Sequence, residues 1–340
     1  MHKCKEKKER RSVVKKSILS LLLAATLAVC LGATSAKTEA AAETSYPEKQ
    51  ITLICPLSAG GGSDTISRLF AAALEEELGV SVVVENKPGA GAGIGLEAIA
   101  ASAPDGYTLG YIPAEVTTVE AMGNATVTPE SFDYIVTAMK ISALICVPAD
   151  SEFDTLEDLV NAAKADPGSI TLGTAGVGNA YELGLRAMLK SAGIELNIVN
   201  FSDGTAEAIT AMMGGNVQCC TAGTAEALPY VESGEFKILC NLSAERSALF
   251  PDVETATELG YECNGGSWGA FAVPAGTPED VLQVLRTAGE KIMNSDDFKA
   301  TLEERGFDEY HIAGEEFKDA AMEMYGVNSG IIEEFELSAN

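Results

Sequence analysis

Cys55-Pro-Leu-Ser-Ala-Gly-Gly-Gly-Ser-Asp-Thr-Ile-Ser-Arg68 joins an apolar run at 51–57 to a stretch in which Ile66, Leu69, Phe70, Ala73 and Leu74 recur at helical spacing. That periodicity predicts a strand, a glycine-rich turn and a helix over 64–78, the repeating unit of an α/β architecture. Three consecutive glycines let the backbone come close to a ligand. Ser63 or Asp64 is placed to cap the helix. The free N–H groups of the first turn, at the positive end of the helix dipole, favour an anion. In an open α/β sheet ligands sit outside the carboxyl ends of strands, where this loop falls. Ala59, Gly60, Gly61, Ser63 and Asp64 are therefore candidate ligand contacts; the competing reading is a well-capped turn with no ligand.

The same unit repeats outward from this loop. Strands are expected at 80–85, 107–112, 142–147, 170–172, 196–199, 217–220, 236–239 and 270–273, with helices between most of them, which argues for parallel sheets. Thr171-Leu-Gly-Thr174-Ala-Gly176-Val-Gly178-Asn179 is a second strand–loop–helix passage of this type, and Phe201-Ser-Asp203-Gly204-Thr205 a third. Two helix N-termini facing across a cleft would grip a small acid without Arg or Lys, through Thr174, Gly176, Gly178 and Asn179 on the second side.

Two segments resemble one another: Ala143-Leu-Ile-Cys-Val-Pro-Ala149 and Trp268-Gly-Ala-Phe-Ala-Val-Pro-Ala275. Each precedes a helix start of capping-box type, Thr155 with Asp158 and Thr277 with Asp280, Pro278 standing at the first helical position. They read as passages between two lobes, one of 48–142 with 268–340 and the other of 143–267. Repetition of ordinary α/β units accounts for them as well.

The chain opens with eight basic residues within 1–16 and an apolar stretch from Ile18 to Ala33, the layout of an export signal over 1–36 followed by a linker over 37–47. The apolar part is short for a permanent span. Cys30 closes it and is a candidate lipidation site; the plainer reading is one more apolar residue in a removed peptide. Without 1–36 the chain keeps 15 basic against 48 acidic residues, a formal charge of −33 where the whole chain carries −27. Such a field repels nucleic acid and anionic lipid, so neither is expected as a partner. An anionic ligand must then be captured by local dipoles.

Roughly 300 mature residues exceed one ordinary core, so two domains are expected. Cys55, Cys146, Cys219, Cys220, Cys240 and Cys263 remain, most beside strand-like runs, where buried thiols are favoured over disulfides. With His311 the sole mature histidine and no paired-cysteine motif, neither metal nor cofactor is expected.

Other motifs fail on spacing or setting. Gly89-Ala-Gly91-Ala-Gly93-Ile-Gly95 does not fit a dinucleotide fingerprint, since Ile94 and Leu96 stand where the last glycine belongs. Gly265-Gly266-Ser267-Trp268-Gly269 fits GxSxG, yet Ser267 precedes its strand instead of following one, which disfavours a serine hydrolase.

CPLSAGGGSDTISRL, VVVENKPGAGAGIG, APDGYTL, GTAGVGNAYELG, EALPYVESGEFK, LFPDVETATELG and WGAFAVPAGTPEDV stand in order along the chain. This series resembles the tripartite tricarboxylate transporter receptors, also called Bug-type extracytoplasmic solute receptors. The resemblance implies a type II periplasmic-binding-protein fold, with two α/β lobes joined by crossover strands and the ligand cleft between them. It implies a ligand carboxylate held on main-chain N–H groups of 59–64 and 174–179, with no catalysis. It further implies delivery to a large and a small membrane permease subunit, from the periplasm or outer face of the cell membrane. A monomer is expected, and a sensor coupled to a kinase is an alternative use of the same fold. Ser58, Glu182, Asp203 and Gln218 depart from the family pattern; Glu182 and Asp203 are candidates for an amino or basic group on the ligand.

Overall fold

The structure, a computed structural model, describes residues 45–337 except 202, 203 and 264. The export signal, Cys30, most of the linker and Asp203 lie outside the described residues. β1 (Ile51–Cys55) is buried along nearly its whole length and leads into α1 (Gly62–Leu78), whose Ile66, Phe70 and Leu74 face the core at four-residue spacing. Gly79, left-handed at φ 70°, ends the helix. β2 (Val82–Asn86) and, after α2 (Gly93–Ala100), β3 (Thr108–Pro113) both run parallel to β1. The Gly89–Gly95 run serves packing: a Cβ at Gly95 would overlap Pro56 and the Lys87 carbonyl.

A single helical turn (Ala114–Thr117) follows β3, and then β4 (Phe132–Ile141) runs straight into β5 (Ala143–Pro148), with Ser142 alone between them. β5 belongs to a different sheet, built with α3 (Leu156–Ala165), β6 (Thr171–Ala175), α4 (Ala180–Ala192), β7 (Asn197–Phe201), α5 (Thr205–Met213), β8 (Cys219–Gly223), α6 (Thr224–Glu232) and β9 (Phe236–Asn241). The chain returns through β10 (Ser267–Pro274) and ends with α7 (Glu279–Met293), α8 (Asp296–Glu304) and α9 (Gly314–Glu334).

The strand orders are β2-β1-β3-β10-β4 and β7-β6-β8-β5-β9. The sheets follow one plan: three parallel strands, then one strand antiparallel to its neighbour on each side in the second sheet, and the same in the first. Both sheets are therefore mixed, not parallel as expected. The two look-alike segments are the fourth strands of their sheets, β5 and β10, which accounts for their likeness. Thr155 and Asp158 form the expected capping box. Thr277 does not: its hydroxyl donates to the Pro274 carbonyl and Pro278 takes the cap position.

Each lobe has its own core. Phe70 stacks on Phe271 at 3.8 Å in the first, and Ile145, Leu172 and Leu185 anchor the second. The six cysteines described are free, five of them buried, and burial raises the Cys146, Cys219 and Cys240 thiols. α9 reaches from one lobe to the other, pairing Glu334 with Lys190 of α4 at 2.6 Å and placing Ile332 against Leu183.

Candidate functional site

The first glycine loop is held from within. Gly60, at φ +85°, donates its N–H to Asp64 Oδ2 at 2.8 Å. Arg68 Nε donates to the same oxygen at 3.1 Å, while Arg68 Nη2 lies 2.9 Å from Oδ1. Asn86 Nδ2 donates to Oδ1 at 2.9 Å and to the Leu57 carbonyl at 3.1 Å, so β2 joins the arrangement. Burial pushes the Asp64 carboxyl up, but Arg68, the Gly60 N–H and Asn86 together outweigh it and hold the pKa at about 2. Asp64 thus fastens the loop instead of capping its helix. Gly61 takes the cap position with no side-chain cap bond. The N–H groups of Gly62 and Ser63 are left as first-turn donors with no intrahelical acceptor.

The second loop repeats the device at the equivalent strand. Gly178, at φ +76°, donates its N–H to Glu182 Oε2 at 2.7 Å, and Glu182 Oε1 accepts from Arg186 Nε at 3.0 Å and Nη2 at 2.6 Å. The shared pattern is a left-handed glycine, an acid four residues on and an arginine four further. Glu182 is fully buried with both oxygens engaged, so the expectation that it meets an amino group of a ligand is not met. Asn179 caps α4, its Oδ1 accepting from the N–H groups of Tyr181 at 2.8 Å and Glu182 at 3.2 Å. Its amide also donates to the Gly176 carbonyl. Thr174 is buried and accepts a 2.7 Å hydrogen bond from Thr221, tying β6 to β8. Of the two helix ends expected to grip an anion, α1 is the one without a side-chain cap.

Four residues that sequence reasoning passed over carry polar groups held out of solvent. Tyr111 of β3 is fully buried and its hydroxyl has no hydrogen-bond partner. Burial raises its pKa, with the Ser63 side chain pulling it down and the Glu115 carboxylate pushing it up. Glu115 lies two residues beyond β3 and Glu226 three beyond β8, the equivalent strand of the other sheet. The Oε2 atoms of both are shut off from solvent without a hydrogen-bond partner. Burial raises both carboxyls. Burial raises the Tyr181 hydroxyl first, and the Glu226 and Glu115 carboxylates raise it further. Glu226 Oε2 and the Tyr181 hydroxyl already crowd the point where a Cβ on Gly223 would stand. In sequence these acids read as ordinary first-turn residues.

A cavity of about 490 Å³ runs beside the crossover strands, lined among others by Ala114, Thr117, Lys140, Ile141, Ala180 and Trp268. It touches the second loop's helix only at Ala180 and reaches neither glycine loop; Ile141, on its wall, also packs at Gly223. Lys140 there pairs with Glu245 at 2.8 Å. Ser267 opens β10 and is followed by strand, not helix, so the GxSxG run lacks the elbow geometry of a hydrolase nucleophile, and His311 is exposed. Among the described residues no group of three or more His, Cys, Asp or Glu is set to hold a metal ion. No helix among them is long and apolar enough to cross a membrane.

Comparison with known proteins agrees with this fold. The description "Tripartite tricarboxylate transporter family receptor" matches residues 66–337. Protein BugT of Bordetella pertussis is 30% identical over 247 residues, covering 71% of this chain and 75% of that protein. A crystal structure of a TctC solute-binding protein from Polaromonas superposes with a TM-score of 0.79 at 31% identity, covering 85% of this chain and 99% of that one. MatC from Rhodopseudomonas palustris, solved with bound malate, shares the fold at a TM-score of 0.67 and 23% identity, covering 84% of this chain and 100% of that one. The two-lobed α/β fold with crossover strands is that of the type II periplasmic binding proteins, and the chain belongs to the Bug-type receptors of the tripartite tricarboxylate transporter family.

Proposed function

We propose that this chain is an extracytoplasmic receptor that captures a small carboxylate-bearing solute by lobe closure and delivers it to a tripartite tricarboxylate-type permease. The observation that carries this reading is the uncapped N-terminus of α1, whose glycine loop is held in shape by the Gly60–Asp64–Arg68 arrangement. A helix end with free N–H groups and no competing side chain is a ready anion site, and a preset loop loses little freedom on binding. That matters in a chain of net charge −27, where no broad positive field draws an anion in. Ala59, Gly60, Gly61 and Ser63 form one jaw in this account, with Gly176, Gly178 and Asn179 as the opposing jaw. Bound solute favours the closed arrangement through its contacts with both lobes. The carboxylate held by MatC, a protein of the same fold, is consistent with this ligand class. Attachment through Cys30 and passage to large and small permease subunits belong to the same reading.

Gly61→Leu is the test. Gly61 has an ordinary backbone conformation, and the nearest atom to a Cβ there is the Ser58 carbonyl at 3.6 Å, so the side chain fits the fold but obstructs the loop. Titration calorimetry against di- and tricarboxylates, amino acids and aromatic acids should find a ligand for the parent chain. Its affinity should fall by about tenfold or more in the variant, the equivalent of losing one charge-assisted hydrogen bond. Unchanged affinity in a folded variant would displace the site from this loop.

A further inference from the structure

α8 is followed by a short strap, Gly306, Phe307 and Asp308, that touches three separate parts of the molecule. Phe307, 8% exposed, lays its ring on the first residue of α1: a Cβ on Gly62 would stand 2.9 Å from the ring's Cζ. Gly306, at φ +74°, lies so near Ala225 of the second lobe that a Cβ on it would come within 2.8 Å. Its carbonyl accepts from the buried Thr224 hydroxyl at 3.1 Å. Asp308, 3% exposed, turns its carboxylate to the same lobe. Its Oδ1 accepts from the Ser247 hydroxyl at 2.8 Å and the Ala248 N–H at 2.9 Å. Its Oδ2 accepts from Ser142, between β4 and β5, at 3.3 Å. Backbone bonds in both directions between Asp308 and Lys140, at 3.0 and 3.1 Å, fix the strap to the edge of β4.

A buried carboxylate has to be hydrogen-bonded or paired. Two of the three donors to Asp308 belong to the second lobe, so its carboxylate is satisfied only while the lobes keep this arrangement. We propose that the strap couples the start of α1 to the second lobe: Phe307 is a positioning residue for the first-turn N–H groups, and Asp308 is the latch that ties it across to Ser247 and Ala248. The proposal rests on the receptor reading for its purpose, since those N–H groups are the ones assigned to the solute's carboxylate. A solute seated there bears on Phe307, and through it on the bonds that join the lobes. Such coupling is reciprocal: loosening the latch loosens the loop, and displacing the loop's contact loosens the latch.

The experiment is amide hydrogen exchange of the unliganded mature chain, with each variant read at the end of the strap remote from it. The Ala248 N–H reports the latch, and the Thr65 N–H, bonded to the Gly61 carbonyl at 3.0 Å, reports the start of α1. Ser247→Ala removes a hydroxyl from the latch and should speed exchange at Thr65 by about fivefold, the scale of one ordinary hydrogen bond. Gly62→Ala pushes the Phe307 ring aside and should speed exchange at Ala248 to a similar degree. Alanine favours a helix more than glycine does, so that effect cannot come from a weaker α1. Thr224→Val, which releases the Gly306 carbonyl, should act at Thr65 in the same direction. The Thr52 and Asn197 N–H groups, bonded to the Tyr107 and Ile170 carbonyls at 2.9 and 2.8 Å, serve as controls in the two lobes and should not change. If Ser247→Ala leaves Thr65 unchanged, or Gly62→Ala leaves Ala248 unchanged, the strap does not couple the two and the proposal is wrong. An equal rise at Thr52 and Asn197 marks general loosening and overturns it as well. Neither outcome touches the receptor reading, which is tested separately by the Gly61→Leu titration.

Discussion

Asp64 is the residue on which the first loop's shape turns. Its carboxylate, only 4% exposed, is bound by Gly60, Arg68 and Asn86, and its pKa of about 2 lies below the unfolded value of about 3.9. A carboxyl depressed in the folded state adds stability that is present above the unfolded pKa and lost as pH falls through the folded one. The contribution, about 2 kcal/mol by that linkage, should therefore disappear between about pH 4 and pH 2. In Asp64→Asn, urea unfolding should show a loss of about 1–2 kcal/mol at neutral pH and a flatter stability profile across that acid window. An identical acid slope in the variant would mean the depressed pKa is not Asp64's. At this scale Gly60, Gly61 and Asp64 could be picked out from sequence because a glycine run beside an acid at a strand end has few other uses. Glu115 and Glu226 could not, because no local spacing marks an acid whose carboxylate oxygen ends out of solvent without a partner. Glu182 was singled out for the wrong role: the arginine four residues on, Arg186, was the available sign that its charge is already matched.

Among the elements, α1 and α4 follow equivalent strands yet begin differently, one uncapped at Gly61 and the other capped by Asn179. Replacing Asn179 by Ala should cost about 1 kcal/mol in chemical denaturation, the usual loss for a side-chain cap. It would also free the Tyr181 and Glu182 N–H groups, so a loss well below that figure would indicate that the cap bonds matter little. Helix starts and the run of strands were legible from periodicity, including the capping box at Thr155. β4 was not: Phe132–Ile141 and Ala143–Pro148 form one nearly continuous apolar run, and Ser142 alone separates them. With no turn residues to mark it, the change of sheet is invisible to local reading. The parallel sheets expected from α/β alternation became mixed for the same reason, since β4, β5 and the returning β10 are the strands that alternation does not describe.

The whole molecule is two copies of one plan. Loops after β1 and β6 carry the same glycine–acid–arginine device, and the helical segments after β3 and β8 each hold an acid, Glu115 and Glu226, with one carboxylate oxygen out of solvent. The proposed function is read from how the copies differ, in the cap at Asn179 and its absence at Gly61. β4 into β5, the return to β10 and α9 tie the lobes, and in the proposed function a closing motion about those links would enclose the solute. The central claim is that a solute's carboxylate sits on the free first-turn N–H groups of α1. A crystal structure with the bound solute tests it directly. The account predicts carboxylate oxygens within hydrogen-bonding distance of the Gly62 and Ser63 N–H groups; a solute lodged instead in the cavity beside Lys140 and Trp268, away from the glycine loop, would contradict it.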